Sequence, residues 1–261
     1  MDHNGSALSR QTAESPAPSA SVPLRPDPDA LMARLAELRE RFGKLSGAEL
    51  LRATLVGGPL AGGTALVSSF GIESAVLLHL VARIDPAIPV IFLDTGKLFP
   101  ETLEYRDQLR VLLGLKDLRT IHPDPRALAR LDADGTLWSR TPDHCCHIRK
   151  TAPLDQALDG FSAWINGRKR FHGDVRSTLL TIEGEPSTGR IKLNPLATWS
   201  AADLEAYRKT HALPPHPLAG KGYRSIGCAP CTRPVGPDED PRAGRWWGID
   251  KSECGIHRPG V

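Results

Sequence analysis

Between Thr64 and His211, short apolar runs alternate with stretches of helical spacing, and this alternation narrows the possible folds of the 261-residue chain more than any other feature. Thr64–Ser69 (TALVSS), Val90–Leu93 (VIFL), Asp117–His122 and Ser162–Arg168 (SAWINGR) have the length and composition of strands. Glu73–Arg83 (ESAVLLHLVAR) reads as an apolar helix, and Phe99–Leu113 as a helix that tolerates Pro100 in its first turn. Lys192–Leu196 is predicted as an edge element. Ser200–His211 opens on a capping serine and an acidic Asp203, as a helix start should. Two further helices precede the alternation, over Ala30–Phe42 and after Ser46. Strands alternating with helices bury both element types when a mostly parallel sheet is covered on both faces, so the predicted class is α/β. From Pro214 onward the chain is rich in Pro, Gly, Cys and Arg, and no long regular element is expected there.

Lys and Arg total 33 against 30 Asp and Glu, so no overall basic field points to nucleic acid. The basic residues cluster around a few motifs instead, which suits a small anionic ligand. No apolar run reaches membrane-spanning length and no secretory signal is visible, so a cytoplasmic location is expected. Residues 1–29 are rich in Ser, Ala and Pro and are expected to be a disordered tail. Residues 30–240 should form the α/β domain, and 241–261 a mobile C-terminal segment. The sequence carries no oligomerisation signal, although homo-oligomers are common among enzymes of this size.

Five cysteines are distributed as adjacent Cys145 and Cys146, a Cys228-x-x-Cys231 pair, and a separate Cys254. In a cytosolic protein this pattern points to a metal site and one spare thiol. Four soft thiolates suit either zinc or a 4Fe–4S cluster, and spacing alone leaves both open. Lys150 follows Cys146 by four residues; on a helix starting there it would lie on the ligand's face one turn later, and Arg149 is the alternative.

Ser68–Ser74 (SSFGIES) passes from a strand into a helix. Backbone N–H groups at a helix start, with serine hydroxyls from Ser68, Ser69 and Ser74, suit an anion; taken alone the motif reads as Ser68 and Ser74 capping the helix, and together with the next turn it points to a nucleotide. Asp94-Thr95-Gly96 closes the next strand. Both turns fall at carboxyl ends of strands, where open α/β sheets bind ligands.

These motifs resemble those of the sulfonucleotide reductases, within the adenine-nucleotide α-hydrolase-like superfamily. Ser69-Phe70-Gly71-Ile72-Glu73 resembles their modified pyrophosphate loop, which lacks the Gly-Gly-x-Asp of ATP-cleaving members. Leu93-Asp94-Thr95-Gly96 followed by Phe99-Pro100-Glu101-Thr102 is similar to the same family, and the resemblance runs from about Leu50 to His257. The paired cysteines resemble the cluster signature of its adenylyl-sulfate-reducing branch. The resemblance therefore implies a 4Fe–4S cluster on Cys145, Cys146, Cys228 and Cys231, and adenylyl sulfate rather than its 3′-phosphorylated form.

It also implies that Cys254, in S-E-C-G-I-H, is the nucleophile. The thiolate would attack the sulfonyl sulfur and expel AMP, and thioredoxin or a similar dithiol would release sulfite. Positive charge from His257, Arg242 and Arg245 is expected to favour the thiolate and hold substrate oxygens. Gly167–Arg176 resembles the family's loop G-x-R-R-(D/E)-Q-S-x-x-R, with Lys169, Phe171, His172 and Gly173 as departures. Arg170 and Arg176 are its expected phosphate contacts, with Gly167, Phe70, Gly71, Asp94 and Thr95 completing the substrate site. Trp246 and Trp247 are expected to pack rather than stack on adenine. A 3′-phosphoadenylyl-sulfate reductase remains open, given Arg168 and Lys169. So does a zinc-stabilised nucleotide-binding module without catalysis, in which Cys254 would be inert; a tRNA-thiolation enzyme is disfavoured by the loop and the charge balance.

Overall fold

The computed structural model describes residues 1, 27–173, 176–249, 251 and 253–257. The expected tail therefore lies almost wholly outside the described residues, as do Asp174, Val175, Pro259 and Gly260. Helix α1 (Pro28–Phe42) begins where Pro28 takes the first helical position and the Asp27 carboxylate accepts from the Asp29 and Ala30 N–H groups. Helix α2 (Gly47–Leu55) follows. The alternation then runs β1 (Thr64–Val67), α3 (Ser74–Ala82), β2 (Val90–Leu93), α4 (Pro100–Leu112) and β3 (Leu118–Ile121). Helices α5 (Pro125–Leu131), α6 (Leu137–Arg140) and α7 (Pro142–Cys146) lead through a π-helical turn, His147–Thr151, into α8 (Ala152–Ala157). Strands β4 (Ala163–Ile165), β5 (Ile182–Glu185) and β6 (Arg190–Leu193) complete the sheet, and α9 (Ala201–Thr210) starts on a capping box between Ser200 and Asp203.

The six strands lie in the order β3-β2-β1-β4-β6-β5, all neighbours parallel except β5 and β6. Residues 192–196 were expected at an edge; β6 is instead interior, because the unforeseen β5 folds back on it as an antiparallel hairpin and takes the edge position. Period-two alternation then sorts the core. Leu66, Val90, Phe92, Ala163 and Ile165 face one apolar layer with α1, α2, α3, α4 and α9. Ala65, Val67, Ile91 and Trp164 face a second layer with Leu154 and Leu158. Both faces are covered, which is why the strands read as continuous apolar runs. Trp164 and Phe92 are essentially fully buried, and truncating either to alanine would cost about 3–5 kcal/mol.

Because β2 lies on one side of β1 and β4 on the other, the chain diverges beyond the carboxyl end of β1, and a crevice opens there.

Candidate functional site

A cavity of about 230 Å³ fills that crevice. Ser68, Ser69 and Gly71 reach it after β1, Thr95 after β2, and Asn166 and Gly167 after β4. The far wall comes from Arg242, Arg245 and the Cys254 segment. Helix α3 starts at the cavity, and the side chain of its N-cap residue, Glu73, makes no capping hydrogen bond. Ser74 lies inside the helix and lines the cavity. The Ser68 hydroxyl accepts from the Phe70 N–H at 3.2 Å.

Two expected contacts take other roles. Phe70 adopts φ 49°, and its ring is fully buried at 5.3 Å edge-on to Phe92. A left-handed residue costs roughly 1–2 kcal/mol, offset here by burying the ring, so Phe70 shapes the loop from the core side. Asp94 accepts from the Gly96 N–H at 2.9 Å and holds the turn.

Positive charge converges on the cavity, and most of it is balanced in pairs. Lys169 pairs with Glu73, and the His172 Nε2 lies 3.3 Å from the same carboxylate. Burial alone would raise the Glu73 pKa, but the His172 hydrogen bond and the Lys169 charge outweigh it and hold it at about 2. Arg168 pairs with Glu183 and reaches Asn166 Oδ1 at 3.3 Å. Arg170 is exposed and donates to the Leu179 carbonyl at 2.7 Å; the structure does not bring it to the cavity. Arg170 opens a 3₁₀ turn, Arg170–His172, and its hydrogen bond to Leu179 holds the side chain away from the cavity lining. Arg176 lines the cavity and donates to Glu253 at 2.7 Å.

The segment carrying Cys254 is docked. Ile256 packs against the second apolar layer, and the His257 ring stacks on Trp164 at 5.7 Å and 6°. Residues 253–257 of the segment expected to be mobile thus contact the sheet through these two side chains. Burial, with Arg168 and Arg176 nearby, holds the His257 pKa well below the usual histidine value, so its ring is neutral. His257 therefore does not supply the positive charge expected of it. Among the described residues, its Nδ1 and the Arg245 Nε are buried without a hydrogen-bond partner. Arg245 supplies charge more directly. Its guanidinium lies 4.6 Å over the Trp246 ring and donates to the Ile226 carbonyl at 3.0 Å. Trp246 is buried as expected, whereas Trp247 is 70% exposed beside Arg233.

A smaller cavity is lined by all four remaining cysteines. Cys145 and Cys146 end α7; Cys228 precedes and Cys231 ends a 3₁₀ turn, Ala229–Cys231, tied to the loop after β2 by Ala229 N–H to Lys97 O at 2.7 Å. Among the described residues, no group of three or more His, Cys, Asp or Glu is arranged to hold a metal ion. The donor set nonetheless suits a cluster, whose iron atoms are each held by a separate cysteine: four thiols share one cavity with Lys97, Arg149, Lys150 and Arg245, and among the described residues no carboxylate lines it. Burial raises Cys145 to about 11. Burial also opposes a Cys228 thiolate, but Lys150 and the Thr95 hydroxyl, 3.3 Å away, outweigh it and lower the pKa.

Lys150 lines both cavities. It sits in the π-helical turn, a geometry often found at functional sites. Burial opposes its charge, yet the Cys228 and Cys254 sulfurs outweigh this and raise its pKa. Arg149 lines only the cysteine cavity, and it pairs with buried Asp132 and donates to the Thr95 carbonyl at 2.7 Å. Glu73, Asn166, Gly227 and Glu253 were not singled out as site residues from sequence, and Arg168 and Lys169 only for a 3′-phosphate pocket. Glu73, Glu253 and Gly227 lay inside or beside quoted motifs, but their roles depend on partners far away in the chain.

Residues 63–234 match the family model for the phosphoadenosine phosphosulfate reductase domain. An adenosine 5'-phosphosulfate reductase of Chelativorans sp. is 47% identical over 86% of this chain and 91% of the relative. One from Mesorhizobium japonicum is 51% identical over 76% of this chain and 77% of the relative. Among solved structures, a phosphoadenylyl-sulfate reductase of Candida auris in a phosphate complex matches with a TM-score of 0.65 and 28% identity, over 77% of this chain and 97% of its own.

Proposed function

The chain belongs to the phosphoadenosine phosphosulfate reductase family, and on that premise we propose that it reduces adenylyl sulfate to sulfite and AMP in sulfate assimilation, through Cys254. The observation that carries this reading is that Cys254 lines the same cavity as the Ser68–Ser74 loop, Lys150 and Arg245. A nucleophile, a nucleotide loop and cations for the leaving group are thus gathered in one enclosure.

The adenosine end enters the crevice beyond β1 and β4, with its phosphate towards the start of α3. The Cys254 thiolate attacks the sulfonyl sulfur; a sulfur–sulfur bond forms, the sulfur–oxygen bond breaks, and AMP leaves with that electron pair. Lys150, Arg242 and Arg245 hold the oxygens on which charge builds. A thiolate of a dithiol protein such as thioredoxin then attacks the Cys254 sulfur. Sulfite leaves with the electron pair of the sulfur–sulfur bond, and the second thiol of the dithiol frees Cys254. The dithiol thereby supplies both electrons. Cys145, Cys146, Cys228 and Cys231 would hold a 4Fe–4S cluster, which when bound supplies structural bracing and negative charge beside Lys150.

Two features support adenylyl sulfate over its 3′-phosphorylated form. The bacterial relatives described above carry the corresponding name. Lys169 and Arg168, on which a 3′-phosphate pocket would draw, are already paired with Glu73 and Glu183. No described helix is long and apolar enough to cross a membrane, in keeping with a cytoplasmic enzyme.

The test is dithiol-dependent release of sulfite from each nucleotide by anaerobically purified protein. Faster turnover of adenylyl sulfate supports the assignment. Faster turnover of the 3′-phosphorylated form moves the chain to the other branch, and turnover of neither overturns the reading.

A further inference from the structure

We propose that Glu253 is a positioning residue for Cys254, and that it acts through a ladder of side chains, Glu73–His172–Arg176–Glu253, joining the nucleotide loop to the segment that carries the nucleophile. The inference rests on the proposed reaction for its catalytic consequence, but not for its geometry.

The ladder is continuous. Arg176 engages Glu253 twice, with Nε donating to Oε1 at 2.7 Å and Nη2 lying 2.6 Å from the same oxygen. Its Nη1 donates to the His172 Nδ1 at 3.1 Å. A guanidinium can only donate, so Nδ1 must be the acceptor and the ring proton must sit on Nε2. That proton points to Glu73, 3.3 Å away. Burial, despite the Glu73 carboxylate, keeps the ring neutral, as this tautomer requires. A neutral histidine thus presents one acceptor and one donor, like the glutamine amide whose place it takes in the family's loop pattern.

The ladder is also enclosed. The Arg176 side chain is 9% exposed and that of Glu253 23%, so the pair is only partly screened by water. Arg242 adds a second cation 3.5 Å from the same carboxylate. Glu253 immediately precedes Cys254, while Ile256 and His257 anchor the other side of it. Fixing both flanks fixes the direction of the thiol into the cavity. Gly255, at φ 83°, lets the backbone turn between the two anchors. Arg176, which the sequence suggests as a phosphate ligand, is committed to a carboxylate of the chain itself.

The test uses the full-length, cluster-loaded protein and its Glu253→Gln, Glu253→Ala and Glu253→Asp variants. Alkylation of Cys254 by iodoacetamide is followed on its own peptide, at pH values where the rate has reached its thiolate plateau, so that a shifted thiol pKa is not mistaken for exposure. The affinity for AMP and the single-turnover transfer of SO₃ from adenylyl sulfate are measured beside it. Losing a charge-assisted hydrogen bond of this kind predicts alkylation about tenfold faster and SO₃ transfer about tenfold slower in the Gln and Ala variants. AMP affinity should stay equal or tighten, because Arg176 and Arg242 lose a competing anion, and Asp should restore part of the transfer rate. Arg176→Ala should speed alkylation similarly, with no further gain when combined with Glu253→Ala.

Wild-type alkylation and transfer rates in the Gln and Ala variants overturn the proposal. So does AMP affinity falling in step with transfer, which would make Glu253 a general support of the pocket. Failure of the unmutated protein to accept SO₃ instead overturns the reductase reading, and the alkylation rates still decide the role of Glu253.

Discussion

The guanidinium of Arg245 lies against the backbone of Gly227, so closely that a β-carbon at residue 227 would come within 2.2 Å of Nη2 and 2.6 Å of Cζ. That contact seats a cation between the cysteine cavity and the nucleotide cavity, both of which Arg245 lines. A side chain can yield where a backbone cannot, so Gly227→Ala should displace Arg245 and leave the fold intact. Turnover is expected to fall about 10²-fold, the effect of losing one stabiliser of developing charge, while the thermal midpoint moves by a few degrees at most. Wild-type turnover in this variant would show that Arg245 does not serve the reaction from this position.

The Glu73–Lys169 pair is expected to matter more for stability. Lys169 is almost fully buried, and Glu73→Gln leaves its ammonium without a counter-charge. The expected loss is about 2–4 kcal/mol, read as a drop of several degrees in the melting midpoint. Glu73→Gln with Lys169→Met should recover much of that loss, because no uncompensated charge remains. An unchanged midpoint in the single variant would contradict the pairing.

Acid should loosen the docked segment. His257 is held well below the usual histidine pKa, and Glu73 is held at about 2. Where a folded-state pKa lies below the unfolded one, the unfolded chain binds more protons in the window between them, and stability is lost as pH is lowered through it. For His257 the window opens near 6.5 and extends downward; for Glu73 it runs from 4.5 to about 2. The melting midpoint should therefore decline as pH falls from about 7.5 to about 5.5, and His257→Asn should flatten that decline. An equally steep decline in the variant would place the titrating group elsewhere.

The two cysteine pairs should act as one set. Replacing any of Cys145, Cys146, Cys228 or Cys231 by serine is predicted to lower bound iron and sulfide and to bleach the visible absorption of anaerobically purified protein. Full iron content in all four variants would contradict a shared cluster.

How far the sequence alone reached depended on the range of the interactions involved. Strands β1 to β4 and helices α3, α4 and α9 were legible, since a buried strand or a capped helix is written in adjacent residues. Strand β5 was not: IEGE carries two acidic residues and a glycine, and its register comes from pairing with β6. The cavity was legible as motifs, because Ser68–Ser74, Cys228-x-x-Cys231 and Glu253–His257 are local patterns. Their charge balance was not. Lys169 finds its carboxylate 96 residues away and Arg176 finds its own 77 residues away, so the strongly cationic loop turns out to be largely neutralised. The same distance explains why His257 looked like a source of charge: only the folded chain shows it stacked, buried and neutral against Trp164.

The central claim, that Cys254 accepts the sulfonate of adenylyl sulfate, has one direct test. Anaerobically purified protein is incubated with adenylyl sulfate without reductant, and intact and peptide mass spectra are recorded. The account predicts a gain of one SO₃ group, located on Cys254 and absent from Cys254→Ser. Folded, cluster-loaded protein that remains unmodified would contradict it.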